Sequence, residues 1–537
     1  MILTRLKSLS GLAATLCASL FLCLAFNTCA AESKIKAAPV STDPRDHEDP
    51  SGATMGKDLG PNYVRAEKPG EPTLPEVATQ STNTRSSLNL IWTLVAGFLV
   101  FFMQAGFALV ETGFTRRKNA SHTMLMNLMV FAIGVIGYFV CGFAFMHGGG
   151  GPLDAYGGSK LLNGVLSFNG WNVLGTKGFF LHGLFDSQTL ALFLFSMVFM
   201  DTAATIPTGS MAERIKFSAF IWMSFFMTMF TYPIVGNWVW GGGWLSQLGE
   251  KWGWGHGALD FSGSGVVHMV GGITALVGAY VIGPRIGKFD KDGNPRPIPG
   301  HDIPLAMLGT LILFFGWFGF NAGSASASEG IVSVVAANTL ISGAFGAFTA
   351  MIHMMYFHAA RKPDPGICCN GMLAGLVAVT APCAYISPIA AAFVGIVAGV
   401  LSTWAAEFVE RKMKIDDCVG AFAIHGVCGM WGIIALGLFA CGTYGAGKNG
   451  VHLILEGKEY GALGVFPIGA PDKTPWGQTG QLMAQIFYAM IVFLFVFAVE
   501  YAFFAFYHKK WGLRVSTDDE YQGLDIPETG CPAYADF

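Results

Sequence analysis

The stretch DFSGSGVVHMVGGITALVGAYVI, residues 260–282, opens on a carboxylate and carries a histidine, His268, eight residues into a long apolar run. The stretch DCVGAFAIHGVCGMWGIIALGLF, residues 417–439, repeats this order, with Asp417 eight residues before His425. At a helical rise of ~1.5 Å per residue, each histidine lies about 12 Å beyond its aspartate. The two stretches therefore predict two apolar helices, each with one ionisable ring at the same depth.

The composition of the whole chain indicates a protein that is surrounded mostly by lipid. Of 537 residues, 53% are hydrophobic and 12% are charged, whereas soluble domains carry about 25% charged residues. So few charges cannot cover a large water-soluble core, but a lipid-facing surface needs none. We therefore expect an all-α polytopic membrane protein.

Eleven apolar runs follow residue 87, and their lengths suit membrane-spanning helices. The predicted runs are 88–110, 124–146, 188–211, 217–239, 262–283, 304–321, 330–357, 371–381, 386–410, 418–440 and 480–507. The eighth run is short for a span and is followed by Pro382. The membrane domain is predicted to occupy residues 88–507.

The distribution of lysine and arginine between alternate loops predicts the orientation. One set of loops holds seventeen of these residues, including Arg116–Lys118 and Arg411–Lys414, and the other set holds six. Positive residues are retained on the cytoplasmic side. The prediction is eleven spans with the N-terminus outside and the C-terminus inside.

The repeated Asp-to-His spacing predicts an inverted repeat of five plus five helices, with one further helix at the end. The two histidine runs are the fifth and the tenth, so the two halves have opposite orientations and their matching residues approach the midplane from opposite faces. This is the symmetry of many transporters.

The first thirty-one residues have the pattern of a signal peptide. Arg5 and Lys7 precede an apolar run from Gly11 to Phe26, and the small residues 28–31 follow. A lipobox ending at Cys29 and an ordinary first membrane helix are the alternatives. Residues 32–87 read as an external polar segment, disordered or loosely docked.

Two histidines at matching depth favour a shared role in a pore. A lone buried histidine is more simply explained as a core residue that donates to a backbone carbonyl. Ionisable residues inside membrane spans are rare, and each is a functional-site hypothesis by default. The glycines beside both histidines would let the two helices approach closely.

Other functional classes find little support in the sequence. The formal net charge is −3 and there is no long basic block, so nucleic acid is not expected as a partner. The 11 cysteines fit neither a zinc ligand set nor a disulfide framework, and we expect no metal and no cofactor. An intramembrane hydrolase built on His268 and Asp260 lacks a paired nucleophile, so we expect no enzyme.

A series of motifs over roughly residues 88–530 resembles the Amt/Mep/Rh ammonium transporters, most closely their bacterial Amt branch. The motifs are FMQAGFALVETG at 102–113, AER at 212–214, WGGG at 240–243, GALDFSG at 257–263, GWFGFNAGS at 316–324 and FAIHGVCG at 422–429. The chain departs from simpler members in residues 32–87, in a long loop between the tenth and eleventh spans, and in Gly420.

The resemblance implies the roles of individual residues. Ammonium would be recruited at an outer vestibule by Trp240, Phe199 and Ser324, with Phe195 one helical turn before Phe199 extending the aromatic wall. Without the family match, Trp240 could equally be an interfacial belt residue. Phe199 and Phe320 would be the stacked phenylalanine gate.

Below the gate, the resemblance implies a pore lined by His268 and His425. Ammonium would lose a proton near the gate, ammonia would cross, and the paired imidazoles would relay the proton. Asp260 would be structural and cap free N–H groups at the vestibule, although a direct ligand role for it can also be imagined. These residues serve a transporter of net ammonium and a passive ammonia channel equally well; we favour net ammonium transport.

The resemblance also implies partners and a location. Residues 508–537 resemble the cytoplasmic tail that packs beneath a homotrimer and couples its subunits, and regulation by a PII-type signalling protein would be in keeping with it. A disordered acidic tail is the alternative. Expected partners are ammonium, its analogue methylammonium and membrane lipid, in a bacterial inner membrane. An ammonium sensor that binds without translocating is the rival function.

Overall fold

A computed structural model of the chain describes residues 74–149, 162–448, 451, 453–455, 458–470, 474 and 476–534. The predicted signal peptide, residues 1–31, and most of the external segment lie outside the described residues. Within the described part, apolar helices dominate and the strands form only two small hairpins.

Ten helices of the described part are long and apolar enough to cross a membrane. They are α1 (Leu74–Phe114), α2 (Arg117–His147), α3 (Ser187–Met211), α4 (Phe217–Val239), α5 (Ser264–Ile282), α6 (Ile303–Gly323), α7 (Ile331–Phe357), α9 (Pro388–Arg411), α10 (Phe422–Phe439) and α11 (Gly480–Trp511). The predicted eighth run is the shorter apolar helix α8 (Pro365–Thr380), with 16 residues.

The bounds of α1, α2 and α8 differ most from the prediction, and α2 begins at Arg117, seven residues before the predicted run at 124. Asp364 caps the N-terminus of α8 by accepting a hydrogen bond from the Ile367 N–H, so this helix begins six residues before the predicted run at 371. Helix α1 begins at Leu74, so residues 74–87 are helical and not a loose segment. An existing helix gains one hydrogen bond per added residue, and Arg85 forms an ion pair with Glu329 beyond the end of α6.

Two helix contacts are of the kind that the predicted inverted repeat would produce. Helix α1 packs along α6, and α5 packs against α10; in the predicted repeat these are the first and the fifth helices of the two halves. Glycines permit these close approaches: a Cβ on Gly309 would lie 2.6 Å from the carbonyl oxygen of Gly106. Two halves related by a two-fold axis would produce such pairs.

The loops on the two ends of the helices have different characters. On one side are hairpin β1 (Val165–Phe168) with β2 (Trp171–Gly175) and hairpin β3 (Leu453–Leu455) with β4 (Lys458–Tyr460), both antiparallel. On the other side, the lysine- and arginine-rich loops meet the C-terminal tail.

The described part of the tail is ordered and packed. It forms helix α12 (Thr517–Gln522) and a helical turn at Asp525–Thr529. The Glu520 carboxylate accepts from the Ile286 N–H at 2.7 Å and from Arg514, and Asp525 accepts from the His122 N–H at 2.9 Å. A disordered tail, the alternative from composition, is therefore excluded for residues up to 534.

Candidate functional site

The aspartate at the start of α5 organises the backbone around it. Fully buried Asp260 accepts hydrogen bonds from the backbone N–H groups of residues 263–266 at 2.8–3.1 Å, and the Tyr488 hydroxyl donates to the same carboxylate at 2.9 Å. These are the N–H groups that a helix start leaves without partners. Because both carboxylate oxygens are used in this way, the geometry favours the capping role over a direct ligand role.

Both histidines lie on wide π-helical turns. His268 lies in the turn Ser264–Met269 and His425 in the turn Phe422–Val427. Asp417 accepts a hydrogen bond from the Phe422 N–H at 2.8 Å, so an aspartate holds the start of the second turn as well. The π-helical turn is a rare element that often occurs at functional sites.

A contact between two glycines brings the two imidazole rings together. A Cβ on Gly272 of α5 would collide with the backbone of Gly426 of α10, so only glycine fits there. The rings of His268 and His425 lie 5.2 Å apart at 27°, and their Nδ1 atoms are 3.2 Å apart. The predicted pairing of the two histidines is present, and both rings are nearly inaccessible.

Aromatic rings enclose the histidine pair. Trp317 and Phe320 of α6 stack on His268 at centroid distances of 5.2 and 5.4 Å. Phe107 of α1 lies 6.1 Å from the His425 ring. The pair is thus bounded by π faces and edges, with few polar groups to solvate a charge.

The two phenylalanines expected at the gate are stacked directly beside His268. Phe199 of α3 and Phe320 lie 4.0 Å apart at 19°, and both are almost fully buried. Phe195, one turn before Phe199, approaches its ring at 4.7 Å. These three rings form a continuous aromatic plug that ends at the histidines.

Trp240 and Ser324 adjoin the plug at Phe199 and Phe320. The Trp240 ring meets the edge of Phe199 at 6.1 Å and 75°, and its Nε1–H donates to the Asp260 carbonyl at 2.6 Å. Gly263, with φ 112°, lies so close to Trp240 that a Cβ would be 3.1 Å from Cη2 of the indole. The Ser324 hydroxyl donates to the Phe320 carbonyl at 2.8 Å, so its lone pairs can accept.

Sequence reasoning missed three residues that position this site. Trp317 and Phe107 stand inside motifs quoted above, but nothing in those motifs shows that their rings face the histidines. Tyr488, which donates to Asp260, belongs to α11 and lies 228 positions away in the chain, so no local pattern could reveal it.

The described residues hold no group of three or more His, Cys, Asp or Glu side chains suited to a metal ion. Cys141, Cys383 and Cys428 are buried and unpaired, which agrees with their interpretation as small packing residues. What the site offers is an aromatic edge, a hydroxyl acceptor, a stacked plug and two hydrogen-bonded imidazoles.

Comparison with known proteins gives consistent results. The family model described as Ammonium Transporter Family matches residues 91–534. The ammonium transporter Amt2 of Archaeoglobus fulgidus is 44% identical over 463 residues, covering 86% of this chain and 91% of the relative. An archaeal protein thus stands among the relatives, so the expected likeness to the bacterial branch stays a prediction.

Two solved structures have a similar fold. One, named Sensor Amt Protein, has a TM-score of 0.70 and 33% identity, and covers 83% of this chain and 100% of its own. The other, Mep2 of Candida albicans, has a TM-score of 0.65 and 25% identity, and covers 81% of this chain and 87% of its own.

Proposed function

We propose that this chain, which belongs to the ammonium transporter family and is a multi-pass membrane protein, moves ammonium across the membrane. The ion would pass through the pore bounded by the aromatic plug and the histidine pair. The observation that carries the proposal is the contact of His268 and His425 directly behind the stacked rings of Phe199 and Phe320.

Recruitment would occur at the outer edge of the plug. A partly dehydrated ammonium ion is attracted by the negative faces of Trp240, Phe195 and Phe199, and such cation–π contacts contribute ~0.5 to 2 kcal/mol. The Ser324 oxygen accepts one N–H. Asp260 shapes this vestibule through its backbone hydrogen bonds and does not bind the ion.

The phenylalanine gate of Phe199 and Phe320 would exclude water and hydrated ions. Transfer of an unpaired ion into such apolar surroundings is costly. Sodium and potassium cannot discard their charge, whereas ammonium can release a proton and cross as ammonia. Selection would therefore come from the plug, and the proton needs a separate carrier.

The histidine pair has the geometry of such a carrier. With 3.2 Å between the two Nδ1 atoms, one ring donates and the other accepts. When a proton arrives on the free nitrogen of one ring, the shared hydrogen can shift and a proton can leave the free nitrogen of the other ring. Each ring returns to the neutral state after one transfer.

The topology and the assembly belong to the same proposal. The face that carries the tail and the lysine- and arginine-rich loops would be cytoplasmic, giving eleven spans, an inverted repeat, an external N-terminus and an internal C-terminus. The cell membrane is the proposed location, as a homotrimer in contact with lipid, and the packed tail offers a surface for a PII-type regulator.

A sensor is the second candidate function. It is favoured by the 33% identity to the structure named Sensor Amt Protein, all of whose chain is covered. A sensor would bind ammonium in the vestibule without moving it. The two candidates differ in one observable, the passage of ammonium or protons across a sealed membrane.

Reconstitution of the purified chain into vesicles tests the proposal. An ammonium jump should evoke a saturable current in vesicles with the protein, a smaller current should follow methylammonium, and none should follow potassium. Protein-free vesicles are the control. A chain that binds ammonium but gives neither current nor a change of internal pH would contradict transport and support the sensor.

A further inference from the structure

A second ionisable group lies beyond the histidine pair, on α1. Phe107, whose ring contacts His425, is followed one helical turn later by Glu111, so both side chains lie on the same face of the helix. A helical turn rises about 5.4 Å, and it leads from Phe107 toward the lysine- and arginine-rich loops. Glu111 is 2% exposed.

Helix α3 and the segment that precedes α10 lie next to this carboxyl. A Cβ on Gly209 of α3 would lie 2.9 Å from the Glu111 carboxyl carbon and 2.8 Å from Cγ2 of Val419, two residues after Asp417. Only a glycine therefore separates Glu111 from the segment that leads into the His425 turn. One oxygen of Asp417, Oδ1, is buried and has no hydrogen-bond partner among the described residues.

The hydrogen bonds of Glu111 suit both of its protonation states. The Thr208 hydroxyl lies 2.9 and 2.8 Å from the two carboxylate oxygens and 2.6 Å from the Thr205 carbonyl. When Glu111 is ionised, the Thr208 hydroxyl can donate its hydrogen bond to the carboxylate. When Glu111 is protonated, the Thr208 proton can go to the Thr205 carbonyl and its oxygen can accept from the acid.

Asn127 completes the surroundings and leaves one acceptor free. Its amide N–H₂ donates to Glu111 at 2.8 Å, while its carbonyl oxygen is buried and has no partner within the described part of the chain. A fully buried acceptor without a donor is costly. A transiently bound donor, such as a water molecule or a hydronium ion in the pore, would satisfy the carbonyl oxygen of Asn127.

We propose that Glu111 takes the proton that leaves the histidine pair and passes it to the cytoplasmic end of the pore. This rests on the proposed function. The imidazolium loses an N–H proton through an intervening water, the Glu111 carboxylate gains it as an O–H, and the proton then goes to ammonia, which leaves as ammonium, or to cytoplasmic water. No other bond changes.

Replacement of Glu111 by glutamine tests the inference in reconstituted vesicles. Glu111→Gln keeps the size and one acceptor but cannot carry the proton, so we expect the ammonium-evoked current to fall by at least about tenfold. Conduction of neutral ammonia, read from internal alkalinisation at zero membrane potential, should continue. Glu500→Gln is the matched control, since it alters a fully buried carboxyl on α11.

The outcomes separate this inference from the proposed function. No current from the wild type would defeat the transport proposal itself. A wild-type current with an equal current from Glu111→Gln would overturn the role of Glu111 alone. If Glu111→Gln does not fold, Thr208→Val decides: it keeps the carboxyl, and a slower current with a larger slowing in D₂O would support the role, whereas an unchanged current would overturn it.

Discussion

The side chain of Trp240 is fixed by two contacts that involve different atoms. Its Nε1–H is bound to the Asp260 carbonyl, and Gly263 leaves room for its six-membered ring. The ring therefore presents a fixed π face. Because the side chain is already ordered, little conformational entropy is lost when a cation binds to it. Ser324, whose hydroxyl proton is taken by the Phe320 carbonyl, is likewise preset as an acceptor.

We predict that Trp240→Leu raises the half-saturating ammonium concentration of the current by about tenfold, since a lost cation–π contact of ~1.4 kcal/mol corresponds to that factor. Trp240→Phe keeps a ring but removes the hydrogen bond, and should give a smaller rise. Trp222→Leu on α4 is the control, since its side chain is 59% exposed on the helix surface. Equal concentration dependence of Trp240→Leu and wild type would contradict a binding role.

The histidines could be paired from sequence, but their neighbours could not. The equal spacing from Asp260 to His268 and from Asp417 to His425 is a pattern within the chain, and glycines near both histidines indicated close packing. The actual contact depends on Gly272 meeting Gly426, and which of the 45 phenylalanines faces the rings depends on helix rotation. Only the family resemblance selected Phe199 and Phe320.

At the scale of elements, the apolar pattern predicts the helices well where the helix ends coincide with polar loops. The bounds of α4 agree with the predicted run, and those of α5 and α6 agree within two residues. Prediction fails at residues 74–87, where α1 extends before the apolar run because Arg85 and Asn89 bind Glu329 and Ser328. Those partners lie some 240 residues away in the chain, so a hydropathy pattern cannot predict these contacts.

We predict that Asp260→Asn loosens the turn that begins α5. The amide can accept at only one position, so two of the backbone N–H groups at 263–266 lose an acceptor. The Tyr488 hydroxyl loses its acceptor as well if the NH₂ takes the place of Oδ2. Each buried group left unsatisfied costs about 1 to 3 kcal/mol. The apparent melting temperature of the detergent-purified protein should therefore fall, together with the ammonium current.

Tyr488→Phe is the graded control for this effect. It removes a single donor to Asp260 and leaves all four backbone bonds, so its melting temperature should lie between those of wild type and Asp260→Asn. An Asp260→Asn protein that melts like wild type but has lost ammonium binding would contradict capping and revive the direct ligand role.

Across the whole molecule, a buried charge network joins the ends of α3, α5 and α10 on the face of the tail. Arg285, after α5, forms a bidentate pair with Asp416, before α10, at 2.8 and 2.9 Å. Arg214, at the end of α3, donates to the Asp416 carbonyl at 2.6 Å. The network therefore joins the helices that carry the two histidines.

We predict a pH-dependent contribution of Asp416 to stability. Burial alone would raise its pKa, but the guanidinium groups of Arg214 and Arg285 outweigh burial and hold the pKa well below its ordinary value of 3.8. A depressed pKa in the folded state means that the stabilisation is complete above pH 3.8 and is lost as the pH falls through the folded pKa.

The comparison of wild type with Asp416→Asn checks this. At pH 7 the variant should be less stable by about 3 kcal/mol, because Arg285 stays buried and keeps only its longer ion pair, with Glu213 at 3.5 Å. The gap in apparent melting temperature should persist down to about pH 4 and narrow below it. A gap of the same size at every pH would show that the charge of Asp416 is not what stabilises the network.

Proton transfer through the paired imidazoles can be tested with the ammonium-evoked current of His268→Ala/His425→Ala in reconstituted vesicles. His122→Ala, which removes a fully buried histidine outside the pore, is the matched control. We predict that the double variant loses the current by about a hundredfold or more while neutral ammonia still crosses. A double variant with full current and unchanged selectivity for ammonium over potassium would show that the histidine pair does not carry the proton.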